Sequence, residues 1–392
     1  MNRHDRGRRE FEGLVGAPPE DLLAGVRLRS PQLYEALVDG AAAEILAHAE
    51  LGRAERELAT VAILAAIGGA EAQLATHTRA ALWQGRSPAE LRALCEHVAL
   101  YAGFPRALNA LTVVDQVLTD AGIPRPAPLR RVALADHDTV VAQRGDSGPA
   151  VVLVHSLGVD WRMWEPVMDR LAAGRQVFAY DFRGHGAAAG APAPVTMADF
   201  GADLVGLLDA LGLDRVHLVG LSLGGAIAQT AAVAHPERVA SLALLAAPDH
   251  PVPDAFEARA RAAETDGMAA QIAPTLTRWF TPDALADNPW GVQYARERIR
   301  RFDPAAWAAT WRAYQTLAVR DRLRDFPSPV LVLSGEADTA AGPDFMAAVA
   351  DRIPGALHET LPRTPHMQTL EQPDLVTAAL DRFLGGLPGR RA

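Results

Sequence analysis

A change of pattern at one point of the chain limits its possible folds more than any other feature. Residues 1–121 carry helical patterning throughout, whereas from Arg130 onward short β-rich runs alternate with helices. The segment between them, GIPRPAP at 122–128, holds three prolines, which stop helices and form a stiff spacer. We therefore predict two domains, an all-α domain at 1–121 and an α/β domain at 130–392, joined by a linker at 122–129.

The composition removes several kinds of chemistry from consideration. All 38 basic residues are arginine, and Cys95 is the single cysteine. Mechanisms that need a lysine, such as Schiff-base or P-loop chemistry, are therefore excluded, as are internal disulfides, Cys-x-x-Cys redox pairs and multi-cysteine zinc sites. We expect chemistry by serine, histidine, carboxylates and backbone amides, with no cofactor and no metal.

Charge and hydropathy narrow the expected partners and the expected compartment. The formal charge is −9, and no basic run is present, so we expect neither nucleic acid nor an anionic membrane as a partner. The first residues are charged, and the longest apolar run, 59–70, is shorter than the roughly 20 residues that span a bilayer. We expect a cytoplasmic protein without a signal peptide.

The first domain carries clear helix signals. Residues 55–67 are apolar on nearly every face, which predicts a helix buried within a bundle or at a subunit contact. A capping box formed by Ser87 and Glu90 starts a later helix, on which Cys95 lies in an apolar stripe and is expected to pack. His97 and Tyr101 are four residues apart and share a face of that helix.

The stretches RAERELATVAILAAIGG, HTRAALWQG and SPAELRALCEHVALYAGFPRALNA resemble the carboxymuconolactone decarboxylase family over about residues 8–120. The resemblance implies a helical bundle that assembles into a homo-oligomer. A decarboxylase needs a general acid, and His77 and His97 suit that role. Related peroxidases use a Cys-x-x-Cys pair, which this chain lacks. Because AAEI stands at 42–45 where the family has an aromatic-Gly-Glu element, a changed pocket or a purely oligomerising domain remains open.

The second domain is predicted to contain a parallel sheet. Continuous apolar runs such as VVLV at 151–154 and VLVL at 330–333 are typical of strands buried on both faces, and alternation with helices indicates an α/β fold. The predicted strands are 132–135, 140–144, 151–155, 176–180, 216–221, 240–246, 330–334 and 357–361.

The sequence GLSLGG at 220–225 lies between a predicted strand and a predicted helix. Gly-x-Ser-x-Gly in that context is a nucleophile elbow, which makes Ser222 the candidate nucleophile. Its partners should follow in the order acid and then histidine, and we predict Asp338 and His366, each in a loop after a strand. The competing candidates are Glu336 and His358.

An oxyanion hole needs two backbone donors near the serine. We predict the amides of Leu223, which follows the nucleophile, and of Leu157, in the loop after the strand at 151–154. In the loop DFRGHG, Arg183 and His185 are expected to be structural.

Helical sequence at about 249–325 interrupts the strand order and predicts a cap over Ser222. Its aromatic residues Trp279, Phe280, Trp307 and Trp311 are candidates for either a pocket wall or packing. Arg162 and Trp164, just past the oxyanion loop, are candidate contacts for a substrate carboxylate, because arginine binds carboxylates with two parallel hydrogen bonds.

The stretches HSLGVDWRMWEP, DFRGHG, GLSLGGAIAQ, SGEAD and HMQTLEQP resemble the α/β-hydrolase superfamily and, within it, the 3-oxoadipate enol-lactonases. The match covers about residues 130–386. It implies a serine hydrolase that opens a small lactone bearing a carboxylate. Together, the two resemblances imply consecutive steps of aromatic catabolism, decarboxylation of 4-carboxymuconolactone and then opening of 3-oxoadipate enol-lactone.

Three other interpretations remain open. The chain departs from the lactonase pattern at TAAG (339–342) and AAAG (187–190), near the expected pocket mouth. These departures fit a hydrolase for another ester or lactone, with an inactive first domain. The first domain is alternatively only an assembly scaffold, and the α/β domain alternatively has a non-hydrolytic role such as cyclisation or ligand binding.

Overall fold

The computed structural model describes residues 2–47, 50–123 and 127–387. The chain divides into two compact units, with the division between residues 125 and 126. This division falls inside the segment predicted to be a linker, 122–129. Each unit is described separately below.

The first unit is all helix, and its core lies among its last four helices. Val61, Leu74, Leu91, Cys95 and Val114 form the centre of that core. The helices are α1 (Arg3–Val15), α2 (Pro19–Leu22), α3 (Ala24–Arg29), α4 (Pro31–Glu35), which continues into wider π-type turns over Ala36–Leu46, α5 (Arg53–Ile67), α6 (Glu71–Trp83), α7 (Pro88–Ala102) and α8 (Phe104–Asp120).

Local sequence signals set the ends of these helices. Ser87 accepts a hydrogen bond from the Glu90 amide, and the Glu90 carboxylate accepts one from the Ser87 amide, so the predicted capping box is present at the start of α7. Gly68, with φ at 69°, ends α5. Cys95 is buried in α7, and burial raises the pKa of its thiol to about 11. The thiol is therefore protonated and packs as an apolar group.

The helix α5 is not buried on every side within this chain. Ile63 and Ile67 are 57% and 58% exposed, whereas Val61 and Ala65 on the opposite side are buried. The expectation of full burial inside the bundle is therefore wrong, and the alternative of a subunit contact remains a prediction.

The second unit is built on one eight-stranded sheet. Its order is β1-β2-β4-β3-β5-β6-β7-β8, with β1 and β2 antiparallel to their neighbours and the remaining pairs parallel. The predicted fold class, a helical domain followed by an α/β hydrolase with a helical cap, is confirmed. The strands are β1 (Leu129–Ala133), β2 (Asp138–Arg144), β3 (Ala150–Val154), β4 (Gln176–Tyr180), β5 (Val216–Leu221), β6 (Val239–Leu245), β7 (Val330–Gly335) and β8 (Leu357–Leu361).

Helices surround the sheet and connect its parallel strands. Every residue of β3 and β7 is buried, as expected for apolar strands covered on both faces. The helices that pack against the sheet and against one another are α9 (Glu165–Leu171), α10 (Met197–Leu211), α11 (Leu223–Ala234), α16 (Pro343–Ala350), α17 (Gln368–Glu371) and α18 (Pro373–Gly385).

Four helices between β6 and β7 form the cap. The longest, α12, bends at Gly267, whose φ of 73° interrupts the helical conformation. No helix in the described part of the chain is long and apolar enough to cross a membrane. The cap helices are α12 (Pro253–Trp279), α13 (Pro282–Asp287), α14 (Trp290–Arg300) and α15 (Pro304–Tyr314).

Candidate active site

Ser222 lies in a sharp turn between β5 and α11. Its backbone has φ 54° and ψ −119°, a region that residues other than glycine rarely adopt, and its amide donates a hydrogen bond of 2.8 Å to the Leu245 carbonyl. The turn thus holds Ser222 in a strained conformation at the carboxyl end of the sheet, where its side chain lines a cavity.

The glycines around Ser222 are required by close backbone contacts. A Cβ atom on Gly224 would lie 2.1 Å from the Val154 carbonyl oxygen, and one on Gly220 would lie 2.4 Å from the Gly224 carbonyl oxygen. Both distances are far below van der Waals contact, so only glycine allows α11 to approach β3 and β5 this closely.

Asp338 and His366 form a hydrogen-bonded pair beside the same cavity. His366 Nδ1 lies 2.9 Å from Asp338 Oδ2, and Asp338 Oδ1 accepts the amides of Ala340 (2.7 Å) and Ala341 (3.0 Å). Burial alone would raise the pKa of Asp338, but the charge and hydrogen bond of His366 and the two amides outweigh it and lower that pKa. An ionised Asp338 keeps the proton on Nδ1, which leaves Nε2 as the basic nitrogen.

The competing residues are occupied elsewhere. Glu336 accepts a hydrogen bond of 2.7 Å from the Arg363 amide, and His358, in β8, has its Nε2 3.1 Å from Ser334 Oγ. Ser222 and His366 both line the cavity, and neither competitor does. The structure therefore places Ser222 and His366 on one cavity and pairs His366 with Asp338.

The two backbone amides predicted to form an oxyanion hole have no acceptor of their own among the described residues. Leu223 is the first residue of α11, so its amide has no acceptor within the helix. In the loop after β3, the Ser156 amide donates to Met163 Sδ (3.1 Å) and the Gly158 amide to His185 Nε2 (3.1 Å). Within the described ranges, the Leu157 amide between them has no acceptor, and Leu157 lines the cavity.

Two buried histidines hold this loop in place. His155 Nδ1 donates to the Ser156 carbonyl (2.8 Å), its Nε2 accepts the Phe182 amide (3.3 Å), and its ring stacks on Phe182. Burial lowers the pKa of His155 to about 4, and burial together with the nearby His155 lowers the pKa of His185 well below its ordinary value. Both rings are therefore neutral with fixed tautomers. The structural role expected for His185 agrees with this geometry, whereas the role of His155 was not predicted.

The cavity at Ser222 has a volume of about 220 Å³, and half of the cap residues that line it are aromatic. Trp279, Trp307 and Trp311 line it, as the sequence allowed, and Phe280 does not. Two arginines of α12 also line it. The lining residues are Ser156, Leu157, Ser222, Ala246, Pro248, Val252, Ala255, Phe256, Arg259, Thr275, Arg278, Trp279, Trp307, Trp311, Tyr314, Ala340, Ala341, Phe345 and His366.

Arg162 and Trp164 do not line this cavity, which corrects the expectation that they meet a substrate carboxylate. The guanidinium of Arg162 donates to the buried Asp160 carboxylate (3.0 Å) and lies over the Trp161 ring. Trp164 is fully buried in the core. Both side chains are therefore committed to the packing of the loop that follows β3.

One carboxylate-histidine cluster lies away from the cavity. Ligand atoms of Asp136, His137 and Asp203 lie within 4.8 Å of one another. Arg183 donates to both oxygens of Asp203 (2.5 and 2.7 Å) and to Asp136 (3.3 Å). The guanidinium thus already supplies the positive charge for these carboxylates, and the cluster is an ion-pair network, in line with the structural role expected for Arg183.

In the first unit, the structure brings only one of the two candidate histidines to a cavity. His77 Nδ1 lies 2.8 Å from Glu57 Oε2, and His77 lines a cavity of about 370 Å³ with Arg56 and Thr60. Glu57 is fully buried, and its Oε1 has no partner in the described part of the chain. His97 is instead exposed, and its ring lies 5.2 Å from that of Tyr101.

Each of the two units matches a known protein family. Residues 149–373, more than half of the chain, match the α/β hydrolase fold family, and residues 31–116 match the carboxymuconolactone decarboxylase family. A 3-oxoadipate enol-lactonase of Acinetobacter baylyi is 30% identical over 233 residues, which cover 58% of this chain and 86% of the relative.

Solved structures give the same result. The enol-lactonase of Burkholderia xenovorans LB400 is 30% identical, with a TM-score of 0.63 over 65% of this chain and all of that one. A thermophilic esterase of Thermogutta terrifontis is 26% identical, with a TM-score of 0.61 over 66% of this chain and 98% of that one.

The chain therefore belongs to the α/β-hydrolase family and carries a carboxymuconolactone decarboxylase domain before the hydrolase. Its homologues include 3-oxoadipate enol-lactonases, and family and relatives together support an ester or lactone hydrolase.

Proposed function

We propose that the second domain opens 3-oxoadipate enol-lactone to 3-oxoadipate by a Ser222–His366–Asp338 mechanism. The observation that carries the proposal is the strained Ser222 in one cavity with the Asp338-paired His366 and a free loop amide. The two enol-lactonase relatives support the choice of substrate.

The first half of the reaction forms an acyl-enzyme. His366 Nε2 takes the hydroxyl proton as Ser222 Oγ attacks the lactone carbonyl carbon, and the Leu157 and Leu223 amides donate to the resulting oxyanion. The ring C–O bond then breaks, and His366 returns the proton to the departing enol oxygen. The enol tautomerises to the ketone while the acyl group remains on Ser222.

The second half releases the product. A water molecule gives a proton to His366 Nε2 and attacks the acyl carbon, the amides again hold the oxyanion, and the bond to Ser222 Oγ breaks as the proton returns to it. Asp338 orients the imidazole and stabilises its protonated form throughout, without accepting the proton.

The purified chain and its Ser222→Ala variant test the triad on the enol-lactone. We expect turnover to fall by about 10⁶-fold, because comparable serine enzymes lose this much when the nucleophile is removed. If the Ser222→Ala variant still opens the lactone at the wild-type rate, the proposal is wrong. Circular dichroism of the variant checks that it folds.

We propose, as a second activity, decarboxylation of 4-carboxymuconolactone in the cavity of the first domain. The family match and the Glu57–His77 pair support it. Loss of CO2 leaves a dienolate, His77 protonates it at the ring carbon next to the lactone carbonyl, and Glu57 holds the imidazole ring of His77. His77→Ala should remove CO2 release, whereas His97→Ala, at an exposed position, should retain it. Equal rates in both variants would rule out this site.

The alternative is a hydrolase for another ester or lactone, with a first domain that only assembles the chain. The similarity to the Thermogutta esterase favours this reading. Turnover of simple esters without turnover of the enol-lactone would establish it. In either case we propose a homo-oligomer in the cytoplasm, since one cysteine forms no internal disulfide and needs no oxidising compartment.

A further inference from the structure

The cavity at Ser222 contains two arginines that lack acidic partners. Arg259 lies with its guanidinium carbon 4.8 Å from the centre of the Trp311 ring, and Arg278 donates only a long hydrogen bond, of 3.4 Å, to Thr275 Oγ1. Among the residues described, neither forms an ion pair, and no aspartate or glutamate lines the cavity. These are two uncompensated positive charges in a chain of net charge −9.

Neighbouring arginines of the cap behave differently. Arg261, one half-turn from Arg259 on α12, pairs with Glu257 at 2.9 Å, and Arg312 pairs with both Glu257 and Glu264. Acidic residues are therefore within reach of this helix, but they face away from the cavity. In the described part of the chain, the two arginines that line the cavity thus lack acidic partners, whereas Arg261 and Arg312, which do not line it, have them.

The positive charges of Arg259 and Arg278 also repel each other. Burial lowers the pKa of Arg259, and burial followed by the charge of Arg259 lowers the pKa of Arg278 to about 10. An anion bound between them would remove this repulsion and replace the water that each guanidinium loses. The charges of the cavity wall therefore favour a negative ligand.

Three further hydrogen-bond donors of the cavity wall are buried without acceptors in the described chain. They are the Tyr314 hydroxyl and the indole N–H groups of Trp307 and Trp311. Buried donors usually have partners, so this wall is suited to a ligand rich in oxygen acceptors.

We propose that Arg259 and Arg278 form a carboxylate-binding subsite, and that the substrate is an ester or lactone with a free carboxylate remote from the bond that breaks. The proposal rests on Ser222 being the nucleophile. Ser222, Leu157 and His366 lie in loops that follow strands of the sheet, whereas both arginines lie on α12. The cap thus holds the carboxylate while these loops hold the reacting carbonyl. Arginine suits this task because its planar guanidinium donates two parallel hydrogen bonds to a carboxylate.

Two model esters that differ in one charge provide the test. They are mono-4-nitrophenyl glutarate, with a free carboxylate, and its methyl ester, which is neutral. The full chain is compared with Arg259→Met, Arg278→Met and the control Arg261→Met, which removes an exposed guanidinium of the same helix. Hydrolysis of the neutral ester also reports that each variant is folded.

We expect the wild-type chain to prefer the charged ester. Arg259→Met and Arg278→Met should each lower kcat/KM for it by about 10- to 100-fold, mainly through KM, the range expected for a lost hydrogen bond to a charged group. The neutral ester should change by less than about threefold, and Arg261→Met should resemble the wild type. Equal losses on both esters, or no preference in the wild type, would overturn the subsite.

Binding of glutarate gives a readout that does not depend on turnover. Calorimetric titration of the Ser222→Ala chain should show glutarate binding, and adding Arg278→Met should remove it; unchanged binding would contradict the proposal. If the enol-lactone is not opened but the charged ester is cleaved in an Arg278-dependent way, the proposed lactone is wrong and the subsite stands. If the enol-lactone is opened equally by the arginine variants, the function stands and the subsite fails.

Discussion

At the scale of single residues, the charge of Asp338 decides which nitrogen of His366 faces Ser222. Asp338→Asn keeps the shape but lets the amide donate to Nδ1, so that Nε2 carries the proton and cannot act as a base. We expect kcat on the preferred ester to fall by about 10⁴-fold, as in the serine-protease case, with KM little changed. Steady-state kinetics of the full chain measures both constants.

The matched control for this substitution is Glu336→Gln. Glu336 lies two residues earlier and accepts the Arg363 amide through an oxygen that glutamine retains. The kcat of the Glu336→Gln variant should stay within about twofold of the wild-type value. A comparable loss in both variants would mean that the loop, rather than the Asp338 charge, sets the rate.

His155 should make the stability of the hydrolase domain depend on pH. The pKa of this buried histidine is about 4 in the fold, against 6.5 ordinarily, because burial disfavours its charged form. As the pH falls from 6.5 to 4, the unfolded chain binds a proton that the folded chain does not. Protonation of His155 therefore leaves the free energy of unfolding unchanged above pH 6.5. That free energy falls as the pH is lowered toward 4, by about 3 kcal/mol at most.

Urea unfolding followed by tryptophan fluorescence at several pH values measures this effect, because six of the seven tryptophans lie at or beyond residue 161. His155→Gln should be less stable at pH 7 but should lose less stability between pH 6.5 and 4. A variant with the wild-type dependence on pH would show that His155 does not contribute.

At the scale of elements, the contact between β5 and α11 depends on Gly224. A Cβ there would meet the Val154 carbonyl oxygen at 2.1 Å and that of His155 at 2.4 Å, and both are backbone atoms of the loop that carries Leu157. Gly224→Ala should therefore destabilise the hydrolase domain by several kcal/mol and abolish activity.

Gly206, within α10, is the control for this prediction. A Cβ at Gly206 meets nothing within 4 Å, and alanine favours a helix by about 0.5–1 kcal/mol over glycine. Gly206→Ala should be neutral or stabilising, with full activity. Urea unfolding of the two variants gives the comparison, and equal stability would contradict the close-contact argument.

The sequence predicted what depends on local patterns. Each predicted strand agrees with an observed one to within about three residues at either end, because apolar runs and strand–turn–helix signals are local. Ser222, Asp338 and His366 could also be predicted from the sequence. Each follows a predicted parallel strand, and parallel strands end at one edge of the sheet.

What the sequence did not predict depends on tertiary partners. Arg162 is the arginine that the sequence indicates for a carboxylate, because it lies next to the oxyanion loop, but Asp160, two residues away, binds it. No local pattern in the sequence indicates Arg259 or Arg278. An arginine's lack of a carboxylate partner is visible only when the surrounding elements are in place. Glu57 was missed because α5 and α6 bring it to His77 from 20 residues away.

In the molecule as a whole, the first unit exposes large apolar side chains at one end of its bundle. We define an apolar patch as Ile67, Leu100, Tyr101 and Phe104, which are between 58% and 82% exposed. Arg106 of α8 donates to the Ala66 and Ile67 carbonyls, which brings the end of α5 beside the start of α8. Large apolar side chains grouped at one end of a bundle indicate an interaction surface.

We propose that a second copy of the chain covers this patch, in line with the homo-oligomer that the decarboxylase resemblance implies. Leu100→Glu combined with Phe104→Glu should then convert the oligomer to a monomer, because two charges would be buried without partners in each interface. Sedimentation velocity at micromolar concentration measures the change. Val195→Glu, at a 77% exposed position of the hydrolase domain, should leave the assembly intact. A wild-type chain that sediments as a monomer, or a double variant that remains assembled, would show that this patch does not hold the copies together.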